Sequence, residues 1–361
     1  MEKVIYNVLK KLEDNNYESY IVGGYVRDKL LGKKVFDIDI TTKARPKEVL
    51  ELFPEYDVKL QDYGNVSFEA DNYKFDITTF RKDIKYQNSR KPVSVEYIDS
   101  FQEDLLRRDF TINSICMDIH DKIIDLHDGK KDLRRKIIRS IGDPYKKTEE
   151  DALRILRAVR FAAVFKFNIE SELKEAIIKN KDLLKNLSFE RKREELNKIF
   201  CSKYKKYGVE LLRELDLIEA LDLKDIKYVL STNDLIGIWA MITDQDYAFT
   251  KKEKELIRDI KDMMEEDIND PLIQYKYGSY CISVVSDIKG LNTKKIMNKY
   301  DKLPIKDRNE IAITTEEICS ILGKEPDAFL KQIYEDIEVL ILKGIIKNNN
   351  ITLREYIKQV Y

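Results

Sequence analysis

The sequence predicts an α+β chain, with its strands early and helices alone thereafter. β-like stretches fall at 17–22, 37–40 and 65–80, and a strand and turn recur over 116–128. Helical spacing of apolar residues precedes and separates them. From Leu183 onward only helical periodicity remains. A chain of 361 residues exceeds one small domain, so roughly two to four modules are expected.

Residues 2–14 put Val4, Ile5, Val8, Leu9 and Leu12 on one helical face. This amphipathic start lacks the apolar run of a secretory signal. Tyr17–Val22 is a strand leading to Gly23-Gly24, with a short helix from near Tyr25. A second strand carries Asp37 and Asp39. A helix is expected from near Pro46, since proline suits a first turn. Residues 65–80 alternate on either side of Asp71-Asn72 and predict a hairpin, with Asp76 on its second arm. Residues 81–100 are polar and basic and lack apolar period until Val93, which predicts a mobile loop. Residues 129–147 hold eight Lys/Arg against two Asp. They fit either a solvated connector or a salt-sensitive contact to an RNA backbone. Residues 149–165 are apolar except for Glu149, Glu150, Asp151, Arg154, Arg157 and Arg160, which predicts one buried helix.

Chemistry concentrates first at residues 21–40. On a strand, residues i and i+2 share a face, so Asp37 and Asp39 project together while Ile38 and Ile40 turn to the core. Adjacent carboxylates repel unless a cation lies between them, and oxygen ligands suit Mg²⁺. A pair of such ions about 3.5–4 Å apart serves in-line nucleotidyl transfer. Asp76, on a neighbouring strand, is either a third carboxylate of that site or an exposed strand residue. Gly23 and Gly24 let backbone approach a ligand, and the helix after them points N–H groups at a phosphate. Arg27 and Lys29 add positive charge.

GGYVRDKLLG followed by FDIDI resembles the first signature of the class II CCA-adding enzyme and bacterial poly(A) polymerase family. The resemblance implies that Gly24 and Arg27 bind the triphosphate and that Asp37 and Asp39 hold the metals. DLLRRDFTIN (104–113) is similar to the family's second signature, in which Arg108 would contact the nucleotide with support from Arg107, Asp109 and Asn113. Ser114-Ile115 replaces the usual Ala-Met, and His127-Asp128 replaces an aromatic-glycine pair. The 81–100 segment matches the family's flexible loop through Phe80, Arg81, Asp83, Tyr86, Arg90 and Pro92, and would move over a bound nucleotide. That loop is implicated in the change from adding C to adding A.

Glu150, Asp151 and Arg154 match the family's EDxxR motif, and Arg157 and Arg160 match further nucleotide contacts. Thr148-x-x-Asp151 also fits a capping box, but that leaves the three arginines unexplained. They follow Asp151 at steps of three, on one helical stripe, and need an anionic or hydrogen-bonding ligand. Cytosine and adenine each present an amino donor beside a ring-nitrogen acceptor. A carboxylate accepts from the first and a guanidinium donates to the second. Uracil and guanine reverse that pattern, and buried polar mismatches discriminate by roughly 10⁴ or more.

The totals narrow the class. Net charge is −1, from 65 basic and 66 acidic residues, so any nucleic-acid surface is local. Four distant Cys and two His give no zinc spacing and fit a reducing cytoplasm. No apolar run is long enough for a membrane span. SFERKREELNKIF (188–200) resembles the last head–neck motif, with Ser188 as an N-cap. Residues 304–347 resemble the family's tail more loosely, with Thr315 and the Gly323–Pro326 turn departing from it.

The family implies a nucleotidyltransferase head with a small mixed β-sheet and helices (1–145), a nucleotide-selecting helical neck (146–210), a helical body (211–303) and a tRNA-binding helical tail (304–361). It implies template-independent CCA addition to tRNA from CTP and ATP with Mg²⁺, and no protein partner. A poly(A) polymerase of the same family is the nearest rival, and a non-catalytic RNA- or nucleotide-binding module the other.

Overall fold

The structure is a computed structural model; it describes residues 1–61, 64–86 and 92–361, with 83–86 and 92–94 described by their backbone alone. The chain divides into two compact units, Met1–Leu223 and Lys224–Tyr361.

The first unit begins with α1 (Lys3–Asp14), which buries Val4, Ile5, Val8, Leu9 and Leu12, the face expected from spacing. Then follow β1 (Ser19–Val22), α2 (Gly24–Leu30), β2 (Asp37–Thr42), α3 (Pro46–Leu52), β3 (Lys59–Leu60), β4 (Asn65–Ala70) and β5 (Tyr73–Thr79). The β4–β5 hairpin turns at Asp71 and Asn72, both with positive φ, 48° and 66°. That conformation favours Asn and Asp among non-glycine residues. Next come β6 (Arg81–Tyr86), β7 (Pro92–Tyr97), α4 (Phe101–Leu106), β8 (Cys116–Met117) and β9 (Ile123–Ile124).

Among the described residues, seven strands form one mixed sheet in the order β3-β4-β5-β2-β1-β8-β9. Only β2 and β5 run parallel, in a register that sets Asp39 beside Asp76 and Asp37 beside Lys74. Ile38, Ile40, Phe75 and Ile77 are buried on the opposite face. Pleating thus separates an apolar core face from an acidic one, as the i, i+2 rule requires.

The loop expected over 81–100 contains two strands. Its arms β6 and β7 pair as an antiparallel ribbon, from Arg81 opposite Tyr97 to Tyr86 opposite Pro92, with register shifts at Asp83/Lys85 and Lys85/Tyr86. A ribbon outside the main sheet need not show apolar alternation, which is why its sequence looked loop-like. Arg90 lies outside the described residues, as do the side chains of Asp83 and Tyr86.

The remaining elements of this unit are α5 (Gly129–Arg135), β10 (Ile137–Ile138), α6 (Pro144–Glu150), α7 (Leu153–Phe165), β11 (Asn168–Ile169), α8 (Ser171–Asn180), α9 (Phe189–Phe200) and α10 (Lys205–Glu214). The single helix expected over 149–165 is corrected to two. Asp151 is extended (φ −140°, ψ 100°), ending α6, and its carboxylate accepts from the Leu153 N–H to start α7. Thr148 forms no capping box: its hydroxyl donates to the Pro144 and Tyr145 carbonyls inside α6. Ser188 takes the N-cap position of α9 without a side-chain cap bond.

The second unit is helical: α11 (Leu235–Ile242), α12 (Lys251–Met264), α13 (Pro271–Ile288), α14 (Thr293–Tyr300), α15 (Thr315–Leu322), α16 (Phe329–Leu342) and α17 (Asn350–Val360). Thr250 with Glu253, and Thr314 with Glu317, close capping boxes that start α12 and α15. Cys281, Ile282 and Val285 of α13 join one apolar cluster with Ile260 and Met263. Leu272 and Tyr275, earlier on α13, pack against a second built from Ile318, Ile333, Ile337 and Leu353. Trp239 is fully buried, as a packing residue would be.

Candidate active site

The glycine turn comes first. Gly23 has φ 74° and ψ −128°, a conformation L residues avoid, and a Cβ there would lie 3.3 Å from Asp39 Oδ2. The sequence reading gave both glycines this role, and of the two Gly23 is the position whose backbone demands glycine. Gly24 contributes its backbone N–H, which donates to the Asp39 carboxylate.

Asp39 opens onto the cleft but has protein around most of its volume. Burial pushes its carboxyl up; Arg108 opposes this, and Asp76 and Asp37 add to it. Asp76 stands in register beside Asp39, but Lys74 Nζ lies 3.0 Å from its Oδ2 and Asn65 Nδ2 donates to its Oδ1 at 3.3 Å. No group of three or more His, Cys, Asp or Glu among the described residues could hold a metal ion unaided.

Arg27 is anchored on three sides. It clasps Asp28 through Nε (3.0 Å) and Nη2 (2.8 Å), and Nη1 donates to Asn113 Oδ1 at 2.6 Å. Asn113 donates to Asp109 Oδ1 at 3.0 Å, and Arg157 Nε donates to Asp109 Oδ2 at 2.7 Å. Burial alone would raise the Asp109 carboxyl, but Arg157 and the hydrogen bonds around it hold it down at about 2. Arg160 Nε lies 2.9 Å from Glu195 Oε2, outside hydrogen-bond geometry. The guanidinium carbons of Arg27, Arg157 and Arg160 lie 5.3, 5.4 and 4.1 Å from the Phe161 ring centre. Cation–π attraction therefore gathers three positive groups around one ring, an aromatic hub the sequence reading overlooked.

At the start of α7, both partners of Asp151 take its Oδ1: the Leu153 N–H at 3.1 Å and Arg191 Nη2 at 3.7 Å. Burial pushes this carboxyl up too, against the charge of Arg191. Arg154 donates to the Lys147 carbonyl, Glu150 Oε2 and the Arg107 carbonyl, at 3.0, 3.1 and 3.0 Å. These bonds use three of its five N–H groups.

Asp104 was also missed, because a helical Asp in sequence looks like a solvated charge. It is fully buried, and its four donors come from Thr41, the Arg81 backbone, Arg107 and Arg108.

These groups converge. A cavity of about 470 Å³ is lined by Gly23, Gly24, Arg27, Asp39, Arg81, Arg107, Arg108, Asp109, Asn113, Asp151, Arg154, Arg157, Arg160 and Phe161. Asp37 and Asp76 are not in that lining; they flank Asp39 on the sheet. Seven arginines against three aspartates favour a polyanionic ligand.

Comparison with known proteins bears on what such a cleft belongs to. Residues 19–139 match the Poly A polymerase head domain, 166–226 match the family described as "Probable RNA and SrmB-binding site of polymerase A", and 245–357 match tRNA nucleotidyltransferase domain 2. The chain is 32% identical to the CCA-adding enzyme of Ligilactobacillus salivarius, covering 98% of this chain and 95% of the relative. It is 33% identical to the CCA-adding enzyme of Lactobacillus helveticus, covering 98% and 96%. Its fold is similar, at TM-score 0.84 and 26% identity, to the crystal structure of the Bacillus stearothermophilus CCA-adding enzyme in complex with CTP, over 99% of this chain and 98% of that one. With a head of the nucleotidyltransferase type and near full-length likeness to these relatives, the chain belongs to the CCA-adding enzyme family.

Proposed function

We propose that this protein adds CCA to tRNA 3′ ends without a template, taking CMP twice and AMP once from CTP and ATP and releasing pyrophosphate. One observation carries the reading: Asp39, on the acidic strand, and the Asp151–Arg154 couple, at the start of α7, line the same cavity. A single nucleotide triphosphate can then meet both. The full-length relatives called CCA-adding enzymes support the reaction, and the relative solved with CTP supports that substrate.

The acidic strand fits Mg²⁺. Asp37 and Asp39 share a face, and burial raises the Asp39 carboxyl, with the charges of Asp76 and Asp37 adding to it. Mg²⁺ is commonly held by one or two carboxylates together with substrate phosphates. Asp37 and Asp39 would be its ligands, with Asp76 a supporting carboxylate. When bound, the metal neutralises charge on the phosphates and lowers the pKa of the attacking hydroxyl.

The protein's own groups do the rest. Gly24, Arg27, Arg108, Arg157 and Arg160 would hold the triphosphate. Asp151 would accept from the amino group of cytosine or adenine, and the two spare N–H groups of Arg154 would donate to the ring nitrogen. Arg81, with Asp83, Tyr86 and Arg90, would serve the change from C to A. Residues 1–145 would be the catalytic head and 146–210 the selecting neck. Residues 211–303 and 304–361 would read the shape of the tRNA duplex. Among the described residues no helix is long and apolar enough to cross a membrane. The four scattered cysteines fit a reducing compartment, and we place the reaction in the cytoplasm.

Poly(A) addition is the second reading, favoured by the poly(A) polymerase descriptions of the matched head and of residues 166–226. The match of residues 245–357 to a tRNA nucleotidyltransferase domain weighs against it. One assay decides. With tRNA ending before CCA, Mg²⁺ and labelled CTP or ATP, singly and together, the product should stop at CCA. An adenosine ladder would favour the polymerase, and no incorporation would leave a binding module.

A further inference from the structure

The mechanism so far leaves unused the most deeply buried carboxylate beside the cleft. Asp104 has no exposed surface. Its Oδ1 accepts from the Arg81 N–H at 3.2 Å and from Arg107 Nε at 2.8 Å. Its Oδ2 accepts from Thr41 Oγ1 at 3.0 Å and from Arg108 Nη2 at 3.2 Å. One side chain thus ties together the strand that carries Asp39, the base of the β6–β7 ribbon and two cleft arginines. Isolating a carboxylate from water is expensive unless charge and donors surround it, and Asp104 has both.

Arg108 faces two acids. Besides its bond to Asp104, it is the largest single charge felt by Asp39. Its Nε is buried and has no hydrogen-bond partner in the structure. A guanidinium that lost Asp104 would have Asp39 as its remaining strong attractor, where a divalent cation and the phosphates must gather.

We propose that Asp104 is a positioning residue: it holds Arg108 away from Asp39 and aims the free guanidinium edge at the nucleotide triphosphate. This rests on the nucleotide-binding reading of the cleft. The Arg107 carbonyl, which follows the same anchor, accepts from Arg154, so the clamp also reaches the base-reading end.

The atoms define a selective test. In Asp104→Asn the retained oxygen still serves the Arg81 N–H and Arg107. The new NH₂ can donate to the Thr41 hydroxyl, which turns to accept. Only Arg108, a donor with no acceptor, meets another donor. CTP affinity is measured by calorimetry on the full chain, in chelator and in Mg²⁺, for wild type, Asp104→Asn, Arg108→Gln and the double variant. Asp104→Asn should weaken CTP binding about tenfold, the worth of one charged hydrogen bond. The double variant should be no weaker than Arg108→Gln. Additive losses, or unchanged affinity in Asp104→Asn, overturn the proposal. Wild type failing to bind CTP would instead overturn the nucleotide-binding reading.

Should Asp104→Asn fail to fold, Arg108→Gln supplies the second measurement. Losing its partner arginine leaves Asp104 less compensated, so the melting-temperature deficit should grow as pH rises through the carboxylate range. A deficit that does not change with pH overturns the pairing.

Discussion

Beside the cleft, Arg27, Asp104, Asp109, Arg154 and Glu195 are all buried, whereas the buried polar residues described in Lys224–Tyr361 are Thr232, Thr243, Gln274 and Ser286, none of them charged. In the second unit some ion pairs are exposed on both sides, such as Lys331–Glu335 at 3.9 Å, and where one partner is shielded, as Glu338 is, its arginine Arg308 stays exposed. Its apolar clusters could be assembled from burial and capping alone. The first unit accepts desolvation costs of several kcal/mol per ion and offsets them by cross-tying each charge. Those ties fix side chains in place before any ligand arrives, which electrostatic preorganisation requires. Among its described residues the helical unit buries no charged side chain that would need such ties.

The largest effect should come from the acidic strand. Asp39→Ala is expected to lower CMP incorporation by about a thousandfold or more, because metal-assisted charge stabilisation is worth several kcal/mol. tRNA binding, followed by gel shift, should stay nearly unchanged. Normal turnover would remove Asp39 from the chemistry.

Next is the pair of buried Asp109 with partly exposed Arg157. Asp109→Asn keeps the shape but sets an amide donor against Arg157, and should cost about 3 kcal/mol in a denaturant melt. The sign follows from the depressed carboxyl at about 2, against an ordinary 3.8. Stability from ionised Asp109 is fully present above about pH 4, worth about 2 kcal/mol, and is lost as pH falls toward about 2. The gap between wild type and variant should therefore narrow over that window. A constant gap from neutral to acid would show that the pair does not stabilise through charge.

Arg154→Gln should relax base choice, raising UTP incorporation relative to CTP by roughly tenfold to a hundredfold. Unchanged rejection of UTP would move selectivity elsewhere in the cleft. At the far end of the comparison, Lys331→Ala should change stability by no more than about 0.5 kcal/mol. A loss as large as that of Asp109→Asn would erase the contrast between the two units.

Much of this was readable in the residues. Alternation around Asp37 and Asp39 fixed their shared face, and the spacing of Val4, Ile5, Val8, Leu9 and Leu12 fixed the buried side of α1. What escaped depended on tertiary partners. At Asp151 the backbone turns extended and the carboxylate accepts from the Leu153 N–H, yet nothing in EEDALRILR forbids a continuous helix. Asp104 looks solvated until Thr41, 63 positions earlier, and the backbone of Arg81 close around it. Phe161 looks like one more apolar residue of α7 until three guanidinium groups gather on its ring.

The most direct measurement is a crystal structure of the protein with CTP and Mn²⁺, the metal located by anomalous scattering. The account predicts Mn²⁺ at Asp37 and Asp39, with the cytosine amino group at Asp151 and its ring nitrogen at Arg154. Metal at the acidic strand with the base turned away from Asp151 and Arg154 would contradict it.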